Sequence, residues 1–297
     1  MLLALLLFLI PLPAQSPDQW SKDFKVSGTP HLKVETGDAN VHISASDSES
    51  ATIEARITTH NWKIGPDGIQ IIDRQNGDEV QLEVRFPRRW ARFDVGNRRV
   101  DVELRVPRRA NLNIKTGDGN IDLTGVTGDV NLQSGDGHLT ISDVEGRLQA
   151  NTGDGPVKLD GCKGNVTLHT GDGRIEVAAF EGELRAQTGD GRVKVSGRFD
   201  VLDVQTGDGG VEATALHGSR MTDNWNLRTG DGGLTMRVPA DLAANIDLHT
   251  GDGHLDLGVP VTISGRTGKN DIKGQMNGGG KLLTLRSGDG SIKIEKL

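Results

Sequence analysis

Between residues 116 and 205 apolar and polar side chains alternate, and a longer period is laid over that alternation. Five consecutive blocks of 18 residues open with Thr/Ser-Gly-Asp-Gly, at Thr116, Ser134, Thr152, Thr170 and Thr188. Counting from that first residue, position 6 holds Ile121, Leu139, Val157, Ile175 and Val193, and position 8 holds Leu123, Ile141, Leu159, Val177 and Val195. Position 15 holds Val130, Leu148, Val166, Leu184 and Leu202, and position 17 holds Leu132, Ala150, Leu168, Ala186 and Val204. The residues between them are mostly polar. Period-two alternation predicts strands with one buried face, two per block. One corner carries an apolar residue and a glycine, as in Val126/Gly128 and Cys162/Gly164. The other is the Gly-Asp-Gly turn, where glycine admits positive φ and Asp bonds its own backbone. The Thr at position 1 continues the parity of positions 15 and 17, so it is expected to face inward and stack on the next Thr.

Two short strands cannot bury a face alone, so blocks repeating at a fixed period must stack. The predicted fold is all-β: a β-solenoid, parallel β-helix-like, with about 18 residues per coil and about 4.8 Å between coils. A meander of hairpins with Gly-Asp tips is the rival. Strict alternation of two chemically different corners favours the solenoid.

The flanks are less regular. Residues 20–110 predict longer strands without a strict period around an early corner copy, Thr36-Gly37-Asp38-Ala39, and read as an irregular N-terminal β cap. Residues 111–297 read as the solenoid proper, its coils loosening after residue 205. Residues 291–297 look like a final edge strand, with Lys293, Glu295 and Lys296 guarding against recruitment of another chain. Residues 1–15 read as a signal peptide: the apolar run is too short to span a bilayer. That predicts an exported chain with no membrane span after cleavage, located in the periplasm, at the surface or outside the cell.

Composition adds three constraints. There are 41 Gly, no Tyr and 3% aromatic residues, which suits β repeats and is poor in sugar-stacking platforms. A net charge of −7 does not favour nucleic acid. Cys162 is the single cysteine, so no internal disulfide forms, and its position predicts a small buried hydrophobe.

Candidate chemistry is sparse. Asp118, Asp136, Asp154, Asp172, Asp190, Asp208, Asp231, Asp252 and Asp289 form a predicted column of turn residues. A calcium-stabilised repeat is an alternative reading, but calcium takes six to eight oxygen ligands and the calcium-binding nonapeptide pattern is missing. Histidines 138, 169, 249 and 254 are expected to point outward, short of the three or four convergent ligands that zinc requires. No nucleophile elbow, phosphate loop or dinucleotide fingerprint occurs, so no catalytic residue, metal or cofactor is expected. Residues 85–109 hold nine Arg against Asp94, Asp101 and Glu103. Within and beyond that stretch Arg88, Arg89, Trp90, Arg92, Arg98, Arg99 and Trp225 are candidate ligand-binding residues. Arginine grips carboxylate and phosphate bidentately, so an anionic envelope polymer or another surface protein would be the partner.

The Gly-Asp repeats, the paired strands and the Val-Pro lead-ins at Val106-Pro107 and Val238-Pro239 resemble a bacterial family of candidate adhesins, domains of unknown function built from β-strand repeats. The resemblance spans residues 24–294 and implies a cell-envelope setting and adhesion, without catalytic residues to carry over. The expected function is an exported, non-enzymatic interaction or scaffold module. A carbohydrate-active β-helix enzyme, a lyase or hydrolase of polysaccharides, is the alternative beside the calcium reading.

Overall fold

The computed structural model describes residues 18–46, 51–87, 98–264 and 268–297. The expected signal peptide falls outside these residues. Among the described residues every strand joins one sheet of 25 strands. The sheet wraps around a single apolar core as two walls. The front wall takes positions 6 to 8 of each block, and the back wall takes positions 12 to 18. Strands Ile175–Gln187 and Val193–Gln205 run unbroken around the corner and pair on both walls.

In the middle of the chain, equivalent residues 18 apart lie side by side. On the front wall Leu139 pairs with Ile121 and with the strand of Val157, and on the back wall Leu148 pairs with Val130 and Val166. Their side chains form one continuous file, each at most 4% exposed. Each such residue contributes roughly 1.5–3 kcal/mol by leaving water.

The expected regular parallel solenoid, 18 residues per coil behind an irregular cap, does not describe the whole molecule. The sheet is mixed and barrel-like in its wrapping, and its spatial order departs from chain order at both ends. Strands His31–Thr36 and Asn40–Ser46 are no cap. They are inner rungs, flanked on one side by Asn111–Lys115 and Ile121–Thr124 and on the other by Glu79–Arg85 and Arg99–Pro107. Antiparallel strands then close that end: Gln70–Asn76 on Glu79–Arg85, and Gln19–Lys25 on Thr52–His60 on Arg99–Pro107. At the other end the last strands, Leu282–Ser287 and Ile292–Lys296, insert between rungs that precede them in sequence. They lie between Trp225–Thr229 and Ala244–Thr250 on the back wall, and between Leu234–Val238 and Leu255–Gly258 on the front. The C-terminal strand is therefore internal, against the expectation of a guarded edge. Period alone could not show this, because the corners at 229–232, 250–253 and 287–290 carry nearly the same residues and any could stack on any.

The Gly-Asp-Gly corner explains the close stacking. At the Thr/Ser-Gly-Asp-Gly corners from Thr116 to Ser287 the Thr or Ser faces inward, as its parity predicts, and its hydroxyl donates to the corner of the neighbouring rung. Thr170 Oγ1 lies 2.9 Å from the Gly155 carbonyl and 3.0 Å from that of Gly153, and accepts the Gly173 N–H at 3.2 Å. The same contacts recur at Thr152, Thr188 and Thr206 and, across the reordered end, from Ser287 to Gly232 and from Thr250 to Gly290. The approach leaves no room for a side chain: a Cβ on Gly155 would run into the Gly137 carbonyl. At the opposite corner Gly164 holds φ 115° with the Gly146 carbonyl against it.

Thr170→Val keeps the shape and deletes the hydroxyl, stranding buried carbonyls. It should lower unfolding free energy by about 1–3 kcal/mol in urea titrations. Thr170→Ser should stay within about 1 kcal/mol, because serine already serves at Ser134 and Ser287.

Candidate functional site

Corner aspartates, histidines and the basic segment are the three places where the sequence offers candidate chemistry. The nine corner aspartates, from Asp118 to Asp289, are all exposed. Two of them bond the backbone of the next corner: Asp118 Oδ1 accepts the Asp136 N–H at 3.3 Å, and Asp136 Oδ1 accepts that of Asp154 at 3.3 Å. Among the described residues no group of three or more His, Cys, Asp or Glu converges as a metal site. The histidines are dispersed. His249 Nδ1 lies 2.7 Å from Asp271 Oδ1 across the antiparallel end pair, while His138 and His254 are exposed at their corners.

Of the seven candidate ligand-binding residues, Arg98, Arg99 and Trp225 are described. Arg88, Arg89, Trp90 and Arg92 lie outside the described residues. The Arg98 guanidinium sits 4.4 Å over the Trp62 ring, and Trp62 meets Phe86 edge-on at 6.3 Å. Phe86 in turn covers Gly37, where the early corner would otherwise face the end of the stack. Arg99 Nε donates to Asp101 Oδ1 at 2.7 Å. Trp225 is fully buried, edge-on to Phe199 at 6.2 Å, and its Nε1 donates to the Asp200 carbonyl at 3.1 Å. It fills core volume and presents nothing to solvent.

The walls carry a contrast that the sequence reading did not draw. On the front wall the outward row runs Lys158, Glu176, Lys194, Glu212, opposite charges directly abreast. Toward its N-terminal end lies a furrow of about 550 Å³ lined by Asp23, His42, Arg56, Glu103, Arg105 and Asp122. There His42 Nδ1 is 2.9 Å from Asp122 Oδ2. On the back wall two outward rows carry runs of uncharged, mostly amide residues: Asn113, Asn131, Gln149 and Thr167 abreast in one, followed by Arg185 and Asp203, and Gln133, Asn151, His169, Gln187 and Gln205 in the next, between Lys115 and Arg228. Asn131 Nδ2 donates to Asn113 Oδ1 at 3.3 Å. Gln149, Thr167, His169, Gln187 and Gln205 are exposed. The signal was present in block positions 16 and 18, read only as polar spacers between core residues. Uncharged runs of this kind, on strands about 4.8 Å apart, offer a regular lattice of donors and acceptors.

Cys162 is buried at the second corner, where its Sγ accepts the Val144 N–H at 3.4 Å. Burial pushes its thiol pKa up to about 11.

Residues 29–295 match the family model described as Toastrack DUF4097. A comparison with curated proteins found no match. Among solved structures, the chain is similar to a candidate lipid-binding protein of Parabacteroides distasonis, at 13% identity over 94% of this chain and 98% of that one, with a TM-score of 0.40. It is also similar to a candidate adhesin of the same species, at 10% identity over 93% and 97% with a TM-score of 0.35. A candidate cell adhesion protein of Clostridium sporogenes shares 14% identity over 95% and 100%, with a TM-score of 0.26.

Two outcomes follow from the corners. Melting midpoints in calcium and in chelator should coincide, since among the described residues no three carboxylate, His or Cys groups converge; a rise with calcium would revive the metal reading. Cys162 should resist iodoacetamide at pH 8 in the folded chain and react on unfolding. Because its folded pKa is raised, the stability this thiol carries is intact below the unfolded value, near 9, and is lost as pH climbs toward about 11.

Proposed function

The chain belongs to the Toastrack DUF4097 family, and from that premise we propose that it works as an exported, non-enzymatic interaction module of the cell envelope or surface, adhesin-like in use. The observation that carries this reading is the pair of amide-rich, uncharged runs within the outward rows of the back wall. A primary amide offers two N–H donors and a carbonyl acceptor. Repeated at strand spacing along a rigid wall, it complements a polymer whose units both give and accept hydrogen bonds. Hydroxyl groups of an extended, uncharged polysaccharide meet that description. An anionic polymer would find its counter-charges elsewhere, on arginines 88, 89 and 92 of the basic segment.

Export rests on the signal-like residues 1–15. Among the described residues no helix is long and apolar enough to cross a membrane. Many weak contacts along one polymer add through effective concentration, so each amide can contribute little and the array still hold.

The test is binding of the purified chain to a glycan array and to insoluble wall polysaccharides. Binding to neutral polysaccharide is expected, with Asn151→Ala/Gln187→Ala weakening it about tenfold, equivalent to about 1.4 kcal/mol. Lys158→Ala on the front wall should leave it unchanged. Loss with Arg88→Ala/Trp90→Ala alone would move the site to the basic segment and an anionic ligand. Release of shortened products would make the chain a carbohydrate-active enzyme and overturn the proposal.

A further inference from the structure

The front wall ends in an open edge. At each rung of that wall one N–H reaches to the next rung's carbonyl: Ile121 to His138 at 2.9 Å, Leu139 to Pro156 at 3.0 Å, Val157 to Arg174 at 2.9 Å and Ile175 to Arg192 at 3.0 Å. The relay crosses the reordered end, from Leu234 to Ser291 at 2.9 Å and from Ile292 to His254 at 2.8 Å. Leu255 is next, and Leu255–Gly258 pairs with a strand on one side only, among the described residues. Since backbone groups in a parallel strand alternate between neighbours, and His254 turns its carbonyl inward, Leu255 and Leu257 turn theirs out. Their side chains suffer too. The equivalent Ile121 and Leu123 are buried, whereas Leu255 and Leu257 are only half-buried, and Ile263 at the same end is 50% exposed.

The rest of the molecule shows how an edge is closed when it is meant to be. On the back wall at this end Ala244–Thr250 is covered by antiparallel Asp271–Met276, which in turn carries the short strand Thr262–Ile263, and the Asn270 side chain donates to the Gly251 carbonyl, standing in for the missing corner. At the N-terminal end, Lys22 lies on the inward side of strand Gln19–Lys25 between half-buried Trp20 and buried Phe24. It is ion-paired to Asp73 on the opposite wall. Ser27 N–H donates to Asp78 at 2.7 Å, and Gln75 Nε2 to the Lys25 carbonyl at 2.6 Å, tying the two walls together. An inward charge on an edge strand is a device that discourages strand addition. Strand Leu255–Gly258 has leucines in those places.

We propose that the Leu255–Gly258 edge is the interface with a second copy of this chain, paired antiparallel to the same strand across a two-fold axis. An added strand is the partner that satisfies outward N–H and C=O groups in a row. The guarded N-terminal end excludes head-to-tail stacking, which would join unlike edges and run on into filaments. Tail-to-tail pairing leaves two Lys22 ends outward, buries Leu255 and Leu257 of both copies, and closes at two. The back walls of the two copies then extend the array of amide rows, although the pairing itself does not depend on what those rows bind.

Sedimentation of the full chain over a wide concentration range, combined with amide hydrogen exchange, tests this. The expected result is a monomer–dimer equilibrium in which Leu255 and Leu257 amides gain protection as dimer forms, while those of Gln19–Lys25 do not change. Leu257→Lys, which copies the Lys22 device, should weaken dimerisation at least about tenfold. A single monomeric species at all concentrations, open-ended filaments, a dimer that protects Gln19–Lys25, or a folded Leu257→Lys chain that dimerises normally would each overturn the proposal. Should Leu257→Lys fail to fold, the exchange pattern of the unsubstituted chain decides.

Discussion

One hydroxyl per rung sets the geometry of this protein. The Thr or Ser at each corner has a single proton to donate, and it points that proton at the carbonyls of the adjacent corner while accepting an N–H from its own turn. The carbonyls it reaches are shielded from water by the stack, so leaving them unmet would cost more than the bond returns. This contact works only if the turn backbones approach closely, which is why the fourth corner position is glycine throughout the central rungs. A second requirement follows. The hydroxyl finds its acceptors only when the walls between corners have matched lengths, so block length and wall register become one constraint.

Where that relay stops, the protein needs other solutions, and it uses a different one at each place. Thr36 is the first corner residue and its hydroxyl has no partner; aromatic packing by Phe86 and Trp62 covers the site instead. Asn270 closes the last corner with a side-chain amide. The reordered C-terminal rung is a third case. Because its corner is chemically the same as those beside it, the relay accepts it anywhere. In the core Leu283 lies abreast of Trp225 on one side and Ile246 on the other. Corner chemistry therefore specifies that rungs stack, and does not by itself specify which rung meets which.

This division explains what could be read from residues alone. Alternation and period located the central strands, the inward Thr and the buried Cys162, because each depends on neighbours a fixed distance away in sequence. The order of rungs at the ends was not legible. Pairing His31–Thr36 between Asn111–Lys115 and Glu79–Arg85 joins segments far apart in the chain, and no local pattern marks such a choice. Trp225 illustrates the same limit at the level of a site. Trp225, at a break in the repeat, is a candidate for ligand binding by sequence, yet its indole enters the core beside Phe199. The amide rows were legible in principle. They were overlooked because a polar residue between two core residues is normally only a solvated spacer.

The two walls share one backbone lattice and differ only in what they turn outward, and that difference has a physical consequence. On the front wall Lys and Glu stand directly abreast in register, and exposed opposite charges at that spacing attract modestly and less so in salt. On the back wall amides bond weakly to one another, as between Asn131 and Asn113 at 3.3 Å, and keep donors and acceptors unspent on the exposed Gln149, Gln187 and Gln205. A surface that satisfies itself has little to give a partner, whereas one that is only partly satisfied does. The core demands of both walls are the same, so this asymmetry is not imposed by folding. It belongs to the surface alone.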